Sequence, residues 1–149
     1  MTPAPPLLRD EAFIEEHRRI RQRLLRIQKF AGPTSGFPTA LSALVACVDE
    51  IASLLPDLSE HFSKEERALR NLGPKRRSPE AENSTEQILG EHRPLLRELE
   101  ALMDSGRRVI DELRAGREAV SLAEGLKAYL SACISDLLDH EEREGQLLT

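Results

Sequence analysis

Apolar residues recur along this chain at alternating steps of three and four, the spacing that keeps side chains on one face of a packed helix, and they form four separate seams. The first runs Phe13, His17, Ile20, Leu24, Ile27, and the second Leu44, Cys47, Ile51, Leu54, Leu58, His61, Glu65, Ala68. The third runs Ile88, His92, Leu95, Leu99, Leu102, Gly106, Val109, Leu113, and the fourth Leu126, Leu130, Cys133, Leu137, His140, Glu144, Leu147. Two cysteines aside, the ionisable residues on these seams are four histidines, one per seam, and two glutamates.

The punctuation between seams sets the elements. Asp10 is placed to cap a first helix that runs to about Phe30 and is ended by Gly32-Pro33, with residues 31–38 as a loop. A second helix is expected from about Thr39 to Asn71, kinked or split by Pro56, and stopped by Gly73-Pro74. Residues 72–83 read as a second loop, after which Ser84 or Thr85 caps a third helix ending near Ala115 and Gly116. The fourth is expected from about Glu118 to Leu148. Four helices with short connections make an all-α, antiparallel up-down-up-down bundle, with residues 1–9 as a disordered tail and 10–149 as one domain.

Antiparallel neighbours share a loop end, so depth can be counted. His92 lies 23 residues before Ala115, His140 lies 23 after Arg117 and His61 lies 22 after Thr39. At about 1.5 Å per residue these three stand at one level, roughly 33 to 35 Å from the shared end. His17 is only 14 residues before Ala31, a shortfall that an extended first loop can span. A repeat supports the same level: Asp57-Leu-Ser-Glu-His61-Phe-Ser-Lys-Glu65 aligns with Asp136-Leu-Leu-Asp-His140-Glu-Glu-Arg-Glu144. The chain therefore reads as two helical hairpins related by a pseudo-twofold axis.

Composition narrows the function classes. Only five of 149 residues are aromatic and the net charge is −5 with both signs interspersed, which suits helices and offers no broad basic face for nucleic acid. The basic run Lys75 to Arg77 reads as a solvated loop. No stretch approaches the roughly 18 apolar residues of a membrane span, and Met1 to Pro6 does not resemble a signal peptide, so a cytoplasmic protein is expected. Cys47 and Cys133 sit on seams, where cysteine acts as a small core residue.

Burying four imidazoles and two carboxylates at one level costs several kcal/mol for each unpaired charge. A hydrogen-bonded polar layer would have to satisfy every member. Two cations satisfy the set: Glu65 and Glu144 each bridge both, the histidines cap them two to a side, and a solvent-derived oxo or hydroxo bridge leaves one position open on each. Imidazole with carboxylate suits iron, with manganese or zinc compatible, and the lack of thiolate argues against structural zinc. Asp57 and Asp136, one turn before His61 and His140, are candidates for fixing imidazole tautomers. Pro94, just past His92, is expected to kink the third helix, tilting His92 toward the metals.

The ordered set of a lone His17, His61 with Glu65, a lone His92, then His140 with Glu144 resembles the hemerythrin-like, or HHE cation-binding, domains over about residues 10–148. That resemblance implies a four-helix bundle holding a non-haem di-iron centre, with the four histidines as terminal ligands and the two glutamates as bridges. The oxygen-carrying members have a further histidine four residues after the third-helix one, where this chain has Leu96, and an H-x-x-x-x-D ending where this chain has Glu144 at the fourth position. These departures argue against simple oxygen carriage. They leave a symmetric His4Glu2 centre that binds a small diatomic ligand, oxygen or nitric oxide, for sensing, storage or stress response. The alternatives are a di-iron oxidase, peroxidase or nitric oxide reductase, an iron donor for iron-sulfur cluster repair, or a metal-free interaction bundle. No general base, nucleophile or nucleotide loop marks a catalytic residue.

Overall fold

The computed structural model describes residues 11–32, 41–71, 79–117 and 120–148. The N-terminal tail, the Asp10 cap, the Lys75–Arg77 run and most of both long loops lie outside these residues. Four helices appear: α1 (Glu11–Gln28), α2 (Leu41–Asn71), α3 (Pro79–Arg114) and α4 (Val120–Leu148). A 3-10 turn, Lys29–Ala31, tightens the end of α1. There is no strand among the described residues, and no described helix is long and apolar enough to cross a membrane.

Of the two outcomes expected at Pro56, a kink or a split, the helix is not split there: α2 runs through it for 31 residues. The start of the third helix departs from expectation. α3 starts at Pro79, so Thr85 is not its cap but a buried residue inside it. The first helical position needs no partner for its N–H and favours the fixed φ of proline, which makes Pro79 a better start than a loop residue. The other end of α3 follows the expected rule. Gly116 takes a φ of 74°, its N–H donates to Leu113 O at 3.1 Å, and Arg117 N–H donates to Glu112 O at 3.0 Å. Those two reverse bonds satisfy carbonyls that the helix end would otherwise leave open, and only glycine adopts that φ without strain.

Each helix packs against its neighbours in the chain, and α1 closes the ring against α4. The buried stripe is wider than the seams. Val48, Phe62 and Leu69 on α2, Ile110 on α3 and Ile134 on α4 are all buried, and each stands one residue after a seam position. A bundle helix buries about three positions in seven rather than two, because it faces two neighbours at once. Cys47 and Cys133 are free and buried within the same core; burial pushes both thiols up to about 12. At Gly106 the Val48 side chain of α2 lies close against the α3 backbone: a Cβ there would stand 2.6 Å from Val48 Cγ2.

Candidate metal centre

Each of the four helices contributes one histidine to a single level of the bundle, where α2 and α4 add glutamates one turn further on. His61, Glu65, His140 and Glu144 are 0 % exposed and His92 nearly so, while the His17 side chain keeps 21 % of its surface. The structure brings together all six residues singled out from the sequence. It adds a seventh, Glu141, whose carboxylate is equally buried.

The donor atoms sort into two groups, each with all its atoms within 4.8 Å of one another. One holds His17, His61, Glu65, Glu141 and Glu144; the other holds Glu65, His92, His140 and Glu144. Glu65 and Glu144 belong to both. Glu65 turns Oε1 to His61 and Oε2 to His92, the latter at 3.5 Å. Glu144 likewise turns Oε1 to the His17 side at 3.8 Å and Oε2 to His140 at 3.1 Å. Glu141 Oε2 stands 3.0 Å from His17 Nδ1 and 3.8 Å from His61 Nε2.

Behind the imidazoles lies a second ring of carboxylates. His61 Nδ1 is 3.1 Å from Glu16 Oε1, His92 Nδ1 is 3.1 Å from Glu66 Oε1, and His140 Nδ1 is 3.0 Å from Glu91 Oε1. An ionised carboxylate can only accept, so in each pair the proton sits on Nδ1 and the Nε2 lone pair points into the cluster. Two of these acids are held in turn by cations. Lys64 Nζ donates to Glu16 Oε2 at 2.9 Å, and Arg143 Nη1 donates to Glu91 Oε2 at 2.8 Å. Burial works to raise Glu16, but Lys64 and His61 outweigh it and the carboxyl stays below its ordinary range. Arg143 does the same for Glu91, against some desolvation.

Asp57 and Asp136 do not fill this role. Asp57 accepts from Arg23 at 2.6 Å, and Asp136 is exposed beside a groove of about 290 Å³ over Gly90 and Pro94. One turn before a seam histidine on its own helix, an acid points back along that helix, whereas the free imidazole nitrogen faces the next helix. The partners therefore come across the interface: Glu16 from α1 to α2, Glu66 from α2 to α3, Glu91 from α3 to α4. The groove reaches Glu91 and Arg143, and α3 continues through Pro94. No cluster-facing histidine or glutamate lines it.

Among the described residues, ten buried side-chain atoms make no hydrogen bond, and all belong to these seven: one nitrogen of each histidine and both oxygens of Glu65, Glu141 and Glu144. They stand close together without the alignment of a hydrogen bond. Burial of this kind is costly unless a cation sits among the atoms, and each of the two groups offers nitrogen and oxygen donors that can hold one. Without metal, protons have to do that work. Desolvation opposes a charged His61, but Glu141 and Glu65 drive it up to about 11. Desolvation and the neighbouring Glu65 push Glu144 up to about 7. Glu141 is held down to about 2, its burial overcome by His17 and His61.

A family model described as the hemerythrin HHE cation binding domain matches residues 9–149. No curated protein and no solved structure gives a match.

Proposed function

The chain belongs to the hemerythrin HHE cation-binding domain family, and we propose that it is a non-haem di-iron protein whose centre takes a small diatomic ligand, oxygen or nitric oxide, for sensing, storage or stress response. In this reading His17, His61 and Glu141 would hold one iron, His92 and His140 would hold the other, and Glu65 and Glu144, with a solvent-derived oxo or hydroxo group, would be shared between them. The observation that carries it is the membership of Glu65 and Glu144 in both donor groups, which favours one centre for two cations over two separate sites. Bound iron would supply a redox-active Lewis acid with room for an exogenous donor.

The protein's own part is to keep that Lewis acid dry and its ligands in one protonation state. Glu16, Glu66 and Glu91 fix three tautomers. Phe13 stacks against His61 at 5.6 Å between ring centroids and Phe62 against His92 at 4.0 Å, which excludes water from the imidazole faces. Oxygen and nitrogen donors favour iron and leave manganese compatible. We place the protein in the cytoplasm, where free buried cysteines are ordinary.

Aerobic reconstitution with ferrous iron tests the reading. It should leave two irons per chain after desalting, with a near-ultraviolet charge-transfer band. His61→Ala and Glu144→Ala should each lower the iron content, and unchanged content in both would remove the site. Turnover of peroxide or nitric oxide above that of free iron would move the assignment to a di-iron enzyme.

A further inference from the structure

The repeat that relates α2 to α4 extends beyond the ligands. Superposing His61 on His140 places Glu65 on Glu144 and Lys64 on Arg143. Glu16 and Glu91 are related too, each standing one residue before a histidine, His17 on α1 and His92 on α3. The two bonded chains are equivalent: His61 to Glu16 to Lys64, and His140 to Glu91 to Arg143.

At the residue after each repeat histidine the symmetry breaks. On α4 that residue is Glu141, which crosses to His17 and His61. On α2 it is Phe62, which crosses the other way, lying parallel to His92 at 4.0 Å and edge-on to His140 at 5.4 Å. Both side chains are buried. Phe62 thus stands, on the His92/His140 side, at the repeat position from which Glu141 sends a carboxylate to the His17/His61 side. One donor group consequently has five members and the other four.

We propose that Phe62 determines where an exogenous ligand binds: it leaves the His92/His140 metal one protein donor short, while Glu141 closes the equivalent position on the His17/His61 metal. The inference rests on the di-iron reading above. A phenyl ring donates no lone pair to a metal, so the donor that Glu141 supplies on one side has to come from outside the protein on the other. The ring also makes that approach apolar, which favours small, weakly hydrated donors over water-bound anions of larger size. Binding there is a ligand exchange: the incoming donor supplies a lone pair, any solvent molecule leaves with its own, and no electron changes hands.

Azide added to the diferric holoprotein is the probe, with iron content measured on the same samples. The wild type should hold two irons and take up one azide. Phe62→Glu should keep two irons and lose azide uptake, since the new carboxylate supplies the missing donor as Glu141 does opposite. Phe62→Leu should keep two irons and one azide, which separates the donor effect from loss of the ring. Glu141→Ala should raise uptake to two azides, and decides the matter if Phe62→Glu does not fold. Azide uptake by Phe62→Glu equal to wild type, or a count still at one in Glu141→Ala with two irons present, overturns the assignment of Phe62 and leaves the di-iron reading standing. Fewer than two irons in the wild type overturns the di-iron reading itself.

Discussion

Removing the metals should destabilise the protein by an amount that grows with pH. In the folded apoprotein Glu144 titrates near 7 instead of 4.5, so folding favours its protonated form. The stability this confers is complete below about 4.5 and is lost as pH rises through about 7, a change of about 3 kcal/mol at 1.36 kcal/mol per unit. His61 acts in the same direction at higher pH: raised from 6.5 to about 11, it stabilises fully below 6.5 and loses that contribution as pH climbs toward 11. Glu141, lowered to about 2, opposes them only in acid, where its contribution disappears as pH falls from 4.5 to 2. The apoprotein should therefore be most stable in mild acid, and between pH 5 and 8 it should lose about 2 to 3 kcal/mol from Glu144 and about 2 kcal/mol from His61, a fall in melting temperature of roughly 8 to 20 °C at 2 to 4 °C per kcal/mol for a chain of this size.

The metal-loaded protein should behave in the opposite sense. Cations displace the same protons, so their affinity rises with pH. With each of two sites at 100 times its dissociation constant, binding adds about 5 kcal/mol, or roughly 10 to 20 °C. Differential scanning calorimetry of iron-loaded and chelated samples at pH 5, 6, 7 and 8 measures both trends. The gap between the two melting temperatures should widen steadily across the series. A gap that stays constant or narrows, or an apoprotein that gains stability toward pH 8, would refute the view that protons and metals compete for these seven side chains.

Three further outcomes follow from the same geometry. Arg143→Gln removes the cation that holds Glu91 against His140 and should weaken metal binding by about 10- to 100-fold without unfolding the chain, as read by competition with a chromophoric chelator. Gly106→Ala should cost about 1 kcal/mol in denaturant melts, the strain of meeting Val48 Cγ2 outweighing the gain in helix propensity; in a Val48→Ala background the same change should become neutral or stabilising. Gly145 stands where Glu66 stands in the other half of the repeat, and a Cβ there meets nothing within 4 Å. Gly145→Glu should therefore stabilise the helix by up to about 1 kcal/mol, measured by the same melts.

Four helices were legible because each carries an uninterrupted seam and because Gly116 and the Gly-Pro pairs punctuate the chain. The start of α3 was not, since a Ser-Thr pair before an apolar run is a familiar cap signal, whereas the helix begins upstream of it at Pro79, a residue suited to the first helical position. The carboxylates behind the histidines carried a signal that same-helix reasoning could not use. Glu16 and Glu91 each precede a seam histidine, yet each serves the histidine of the next helix. Their role is visible in sequence only as a repeated Glu-His pair on α1 and α3, answering a repeated basic residue before the glutamate on α2 and α4.

Glu141 escaped for a different reason. A seam drawn with two positions in seven selects His140 and Glu144 and passes over the residue between Leu137 and Glu144 that keeps the same face by steps of four and three. The positions that stand one after the seam are those of Val48, Phe62, Ile110 and Ile134, all buried, so a third position in seven faces inward on α2, α3 and α4. Drawn at that width, the pattern places a glutamate on the apolar face of α4 and a phenylalanine at the matching place on α2. The same widening that completes the core thus brings in the seventh cluster residue and makes the two halves of the cluster unequal: the repeat matches in its histidines and glutamates on the two-position seam and differs on the third, where Glu141 answers Phe62 and one donor group has five members against four in the other.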